Sequence, residues 1–218
     1  MTNLVLQSIA EALQTVRPEG ARKKEVVAGP GRLQARDLGT AEKLSLFVSR
    51  AQSSGAVVHR CRDLDSLAAT IEKLLREGSN LAVASRKRIE GNLGISIENL
   101  LPSSCRWVDG EHVDKERLFH LDAALTDVEA GIAETGSIML RAGDGKPRSI
   151  SLVAEQHLAL IRPDQIVPDL LDWAELKEGC AGGFTLITGP SKTADIELNL
   201  VVGVHGPARL HLLLFEQE

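Results

Sequence analysis

From Thr40 onward the chain alternates two kinds of apolar pattern, and this alternation limits the available folds more than any other feature. Leu44, Phe47, Val48 and Ala51 recur at helical spacing, and Gly55-Ala56-Val57-Val58 follows as a short apolar strand. Leu64, Leu67, Ala68, Ile71, Leu74 and Leu75 form a second helical stripe, and Leu81-Ala82-Val83-Ala84 is the next strand. Asp63 is suited to cap the second helix, because its carboxylate can accept the free N–H groups of the first turn. Gly78 stands where a left-handed residue after a helix belongs. Helix, strand, helix and strand with short connections predict crossovers and a mainly parallel sheet, in one three-layer α/β/α sandwich.

Later strands are expected at Arg106-Trp107-Val108, Ala123 to Thr126, Ile138-Met139-Leu140, Leu158 to Ile161, Phe184 to Ile187 and Leu210 to Phe215. Ile138-Met139-Leu140 should run into a turn at Gly143-Asp144-Gly145. Ile166, Leu170, Leu171 and Ala174 suit one more helix. Ahead of this region, Leu6, Ile9, Leu13 and Val16 mark an amphipathic helix over residues 3–16, ended by Arg17-Pro18. Residues 17–39 are rich in Arg, Lys, Gly and Pro, and read as a basic loop. The organisation is thus a helix and basic loop over 1–39 and a single α/β domain over 40–218.

Composition excludes several functions. With 25 Lys+Arg against 30 Asp+Glu the net charge is −5, which argues against nucleic acid as the main partner. Aromatic residues are 3% and Tyr is absent, so a base-stacking platform is disfavoured. Cys61, Cys105 and Cys180 are scattered, without a CxxC pair. A four-cysteine cluster within this chain is excluded, as is a CxxC zinc site, and sparse cysteine suits a reducing cytoplasm. The first ten residues lack the basic start and apolar run of a signal peptide, and no membrane span is expected.

Three segments concentrate the chemistry. In Ile187-Thr188-Gly189-Pro190-Ser191-Lys192-Thr193-Ala194-Asp195-Ile196-Glu197 a strand ends, and a helix is expected to start, capped by Ser191 or Thr193. Such a helix start beyond a strand's carboxyl end suits a phosphate or carboxylate, with Lys192 adding charge. A capped turn without a ligand accounts for the same residues. It is neither a Walker loop nor GxGxxG. In Ala133-Glu134-Thr135-Gly136-Ser137, Glu134 suits a general base, a nucleophile or a ligand acceptor, and Gly136 allows close approach of a ligand. An exposed Glu beside a Thr-Gly turn is the plainer account. In Gly203-Val204-His205-Gly206-Pro207, His205 suits an acid, a base or a donor, or else a turn residue satisfied by backbone. His157 is the other histidine kept as a pocket candidate. No metal-ligand spacing occurs. Asp127 and Glu129 read as a solvated loop.

Taken in order, these three segments closely resemble the LUD domain family, of the lactate utilization protein C type. The run from Thr188 to Pro207 is the most specific part. The resemblance implies a fold like that of the phosphosugar isomerase and CoA-transferase superfamily. It implies a subunit supporting oxidation of L-lactate to pyruvate together with iron–sulfur partner proteins, the clusters residing in the partners and no cofactor in this chain alone. The substrate would be a small anion. The motif positions carried over are Glu134, Thr135, Gly136, Thr188, Gly189, Pro190, Ser191, Thr193, Asp195, Glu197, His205, Gly206 and Pro207. Glu134 and His205 are the expected catalytic residues, and Ser137 and Lys192 join the expected ligand contacts. Whether the chain is itself catalytic or an accessory, substrate-binding subunit stays open. A self-contained enzyme or binding protein for a phosphorylated or CoA-linked small molecule is the alternative.

Overall fold

The computed structural model describes residues 38–141, 148–176, 183–194, 200–202 and 206–216. The helix expected over 3–16, the basic loop up to residue 37 and the turn at Gly143-Asp144-Gly145 lie outside the described residues. So do Asp195, Glu197 and His205 of the motif segments.

The alternation from Thr40 builds the expected elements. Helix α1 (Thr40–Ser53) leads into strand β1 (Val57–Cys61), and α2 (Leu64–Leu74) into β2 (Asn80–Val83). Asp63 caps α2 as expected: its Oδ1 accepts the Ser66 N–H at 2.7 Å, and its own N–H donates to Ser66 Oγ. Gly78 has the positive φ of +76°, but it serves the turn into β2, four residues past the end of α2. Then follow α3 (Arg86–Leu93), α4 (Ile97–Leu100), β3 (Arg106–Asp109), α5 (Lys115–Leu118) and β4 (Ala123–Asp127). Strands β5 (Ala130–Ile132) and β6 (Ser137–Arg141) form a hairpin, followed by α6 (Arg148–Val153) and β7 (Gln156–Ile161). The helix expected from Ile166 divides: Ile166–Val167 is a short strand, β8, and α7 starts at Leu170 and runs to Leu176. The remaining strands are β9 (Phe184–Ile187), β10 (Lys192–Ala194), β11 (Leu200–Val202) and β12 (Arg209–Phe215).

Six strands form one sheet in the order β1-β12-β7-β4-β2-β3, with every neighbouring pair parallel. Alternate residues serve opposite faces, as the two-residue repeat of a strand requires. Leu81, Val83, Leu125, Leu158, Leu160, Leu213 and Phe215 pack with Leu67 and Ile71 of α2, Ile89 of α3 and Ile97 of α4. On the other face, Ala159, Ile161, Leu210, Leu212 and Leu214 pack with Phe47 and Ala51 of α1, and Ala82 and Ala124 with Ile150 of α6. Burying each large aliphatic side chain contributes about 1.5–3 kcal/mol. The mainly parallel sheet and its flanking helices agree with the expected α/β class.

The apolar runs did not disclose a second sheet. Strands β8-β5-β6-β9 form it, with β5 antiparallel to β6 and β6 antiparallel to β9. Ile138 and Leu140 of β6 join the same cluster as Phe47 of α1, so this sheet lies on the α1 side of the central one. The small sheet positions both the Glu134 and the Thr188 segments.

Candidate functional site

Glu134-Thr135-Gly136 is the turn of the β5–β6 hairpin. Gly136 closes it with φ +67° and donates its N–H to Ile132 O at 2.9 Å. A Cβ on Gly136 would lie 2.1 Å from the backbone nitrogen of Ala51 and 2.4 Å from the carbonyl carbon of Arg50. The close approach this glycine permits is therefore to the backbone of α1, not to a ligand. Gly189 repeats the device with φ +76°: a Cβ there would lie 2.2 Å from Ser54 O. Both motif glycines seat their loops on the carboxyl end of one helix.

The Thr188–Ser191 loop also departs from expectation. Lys192–Ala194 is strand β10, paired antiparallel with β11, and not the start of a helix. Among the described residues no helix starts in this loop, because the backbone of Lys192–Ala194 serves an antiparallel ladder with β11. Lys192 Nζ donates to Ser54 O at 3.1 Å. A cation at the carboxyl end of α1 meets the negative end of the helix dipole, which accounts for this lysine without a ligand. The loop does not lie beyond a carboxyl end of the central sheet either. It follows β9 of the small sheet, and Ser191 N–H donates to Pro207 O at 2.9 Å, just ahead of β12. It lies at the amino ends of β7 and β12.

The structure does join the three segments. Thr135 Oγ1 and Ser137 Oγ are 2.7 Å apart, and Ser137 Oγ and Thr188 Oγ1 are 2.7 Å apart. Ser137 is fully buried, so this hydroxyl chain ties the hairpin turn to the next loop from inside. Ser191 and Gly206 touch, since a Cβ on Gly206 would lie 3.2 Å from that of Ser191. Between them a cleft of about 260 Å³ opens, walled by the Thr188–Ser191 loop and Gly206-Pro207, by Leu186 of β9, and by Leu152 and Ser151 of α6, with His157 behind. Thr188, Gly189, Pro190, Ser191, Gly206 and Pro207 thus reach the cleft. Thr135, Gly136 and Ser137 support it. Glu134 is half-buried, donates its backbone N–H to Pro168 O at 3.0 Å, and is not among the cleft's lining residues.

His157 belongs to this cleft. Its Nε2 is 2.9 Å from Thr126 Oγ1, and its Nδ1 is buried without a hydrogen-bond partner. Burial pushes its pKa down to about 4, so the imidazole is neutral at pH 7. A buried polar atom without a partner costs about 1–3 kcal/mol.

A second polar cluster was misread from the sequence. Asp127 and Glu129 do not lie on a solvated loop: their side chains are 1% and 4% exposed. Arg88 Nε lies 2.6 Å from Asp127 Oδ2, and Arg88 Nη1 donates to Glu129. Asn92 Nδ2 donates to Asp127 Oδ1 at 3.4 Å. The available signal was position, since Asp127 ends a strand whose five residues are all buried. This cluster, and not the motif loop, occupies the carboxyl edge of the central sheet, where open α/β sheets commonly bind ligands. No group of three metal-ligating side chains occurs among the described residues, and no helix among them is long and apolar enough to cross a membrane.

Comparisons with known proteins bear on the family and the fold. The LUD domain model matches residues 44–215. Lactate utilization protein C of Halalkalibacterium halodurans is 38% identical over 117 residues, covering 49% of this chain and 51% of that one. Lactate utilization protein C of Macrococcus caseolyticus is 29% identical over 162 residues, covering 71% and 68%. The matches to the first of these relatives span about half their length. A crystal structure of a DUF162 family protein from Deinococcus radiodurans superposes with a TM-score of 0.60 at 26% identity, over 82% of this chain and 99% of that one. The matched span takes in every strand of both sheets and all three motif segments, and on that ground the chain belongs to the LUD domain family.

Proposed function

We propose that this chain is a subunit of a lactate-utilization system, supporting oxidation of L-lactate to pyruvate together with iron–sulfur partner proteins. The similarity to proteins named lactate utilization protein C supports the pathway. The observation that carries the site is the junction of the three motif segments: Ser137 to Thr188 by hydroxyls, and Ser191 to Pro207 by backbone, around one open cleft. A purely structural subunit has no need of an open cleft at the meeting point of its three most distinctive segments.

Lactate oxidation releases two electrons and two protons, so an acceptor is required. In this reading the electrons pass to clusters held by the partners, and the cleft of this chain binds a small molecule. Thr188 and Ser191 supply hydroxyls there, and the hydroxyl chain to Ser137 fixes the loop that carries them. Glu134, on the hairpin turn outside the lining residues of the cleft, and His205, next to Gly206 in the sequence, are kept as the proposed catalytic residues. Strand β10 stands where a helix start was expected to hold a phosphate or carboxylate, so neither anion has that site.

The test is growth on L-lactate of a bacterium lacking the chain, complemented by wild type, Glu134→Gln, His205→Ala or Leu152→Trp, with pull-down of iron-containing partners. Loss of growth with retained partners supports the reading. Wild-type growth of Glu134→Gln and His205→Ala rejects catalytic roles for those two residues. Wild-type growth of Leu152→Trp rejects the cleft as the working site.

A further inference from the structure

The lining of the cleft is more specific than its position. Among the described residues that wall it, none carries a charge at neutral pH. The side chains on offer are hydroxyls (Thr185, Thr188 and Ser191), an imidazole and apolar groups such as Leu152 and Leu186. The nearest motif cation, Lys192, is held on Ser54 O. The helix start that would have supplied a positive field is a strand.

We propose that this cleft receives an uncharged small molecule, with a carbonyl or hydroxyl group on an apolar body, and not a free anion. The assignment rests on the reading of the cleft as the working site, and deepens it by naming the ligand class. Moving a carboxylate out of water against walls without a counter-charge is strongly unfavourable, whereas a neutral carbonyl or hydroxyl needs only hydrogen-bond partners. The cleft supplies them. Ser and Thr hydroxyls both donate and accept. His157 adds a neutral ring whose Nδ1 lacks a partner. Thr126 can donate to or accept from Nε2, so Nδ1 can be acceptor or donor according to the tautomer. It thereby suits a hydroxyl or a carbonyl oxygen. At about 260 Å³ the cleft falls below the ~300 Å³ at which drug-sized pockets begin, which sets the scale of the ligand. L-lactate and pyruvate, both anions at neutral pH, should then bind there more weakly than uncharged analogues of the same size.

Matched probes that differ chiefly in charge test this. Ligand-observed NMR with the purified chain compares lactamide with lactate, and benzamide with benzoate. The amide of at least one pair should bind at least about tenfold tighter than its anion, a difference of ~1.4 kcal/mol. Leu152→Trp, which fills the cleft from a partly exposed position, should abolish amide binding. Leu186→Lys, at another exposed wall position, should shift the preference toward the anions. Equal or tighter anion binding in the wild type overturns the proposal. So does a failure of both amides to bind, or amide binding that survives Leu152→Trp. Growth on lactate separates the two ideas. If Leu152→Trp grows normally, the cleft is not the working site. If Leu152→Trp fails to grow while the wild-type cleft prefers anions, only the ligand class is wrong.

Discussion

Replacing His157 by Gln should flatten the acid side of the stability profile. Free histidine titrates near 6.5, and burial lowers the pKa of His157 to about 4. Below pH 6.5 the unfolded chain takes up a proton at this position, while the folded chain does not until about pH 4. The stability associated with the neutral buried ring is therefore complete above pH 6.5 and is lost as pH falls toward 4. The gap is about 2.5 pH units, and each unit is ~1.36 kcal/mol, so the full loss is about 3 kcal/mol. With a urea slope of about 2 kcal/mol/M, His157 alone should move the unfolding midpoint by about 1.5 M between pH 7 and pH 4. Gln keeps a neutral polar group beside Thr126 and cannot titrate. It will lower stability at pH 7 through altered packing, but that offset is constant with pH. His211 is lowered to about 4 by burial, with His59 and Arg209 adding to the effect, and contributes to the slope in both proteins. The difference between the two profiles isolates His157. Urea titrations followed by circular dichroism at pH 7, 6, 5 and 4 give the answer. Parallel profiles would refute the claim that His157 is buried and neutral in the folded protein.

Other expectations follow from the contacts. Gly136→Ala should cost about 3 kcal/mol or more, because its Cβ would meet the backbone of Ala51 at 2.1 Å and φ is +67°. Gly91→Ala, with open space inside α3, should instead stabilise by about 0.5–1 kcal/mol, and thermal melts of the two variants compare them directly. Arg88→Met leaves two buried carboxylates without their arginine and should cost about 3–5 kcal/mol by denaturant unfolding. Lys192→Met removes a cation from an exposed helix end, so it should lose only about 0.3–1 kcal/mol and leave the affinity of the NMR probes unchanged. A large loss of probe binding in Lys192→Met would restore this lysine as a ligand contact.

The elements were legible because they are local. Phe47 and Ala51 face inward for the reason their spacing suggests, and Asp63 caps α2 through a residue three positions away. The site was legible as a set of segments but not as chemistry. Thr188, Ser191 and Gly206 were expected at a ligand and do wall a cleft. Gly136 and Lys192 were expected to meet a ligand and instead serve α1. Asp127 and Glu129 were read as solvated, since alternate acidic residues carry no sign of an arginine 39 positions from the first of them. Strand β10 was read as a helix start because Ser and Thr at these positions suit a helix cap, while β-branched Thr193 suits a strand equally well.

The sequence by itself determined the first two helix–strand pairs and most strands of the main sheet, that this sheet is parallel, and which three segments are distinctive. Those properties follow from apolar period, glycine placement and side-chain chemistry over a few neighbours. The tertiary structure decided where the segments meet. Ser137 reaches Thr188 across 51 positions, His157 reaches Thr126 across 31, and Lys192 reaches Ser54 across 138. Those meetings depend on the strand order, which inserts β12 between β1 and β7 and brings the end of the chain into the middle of the sheet. Whether a lysine faces an anion or a helix end, and whether a histidine is a charged surface group or a neutral wall, is fixed by what lies opposite, and local pattern carries no record of that.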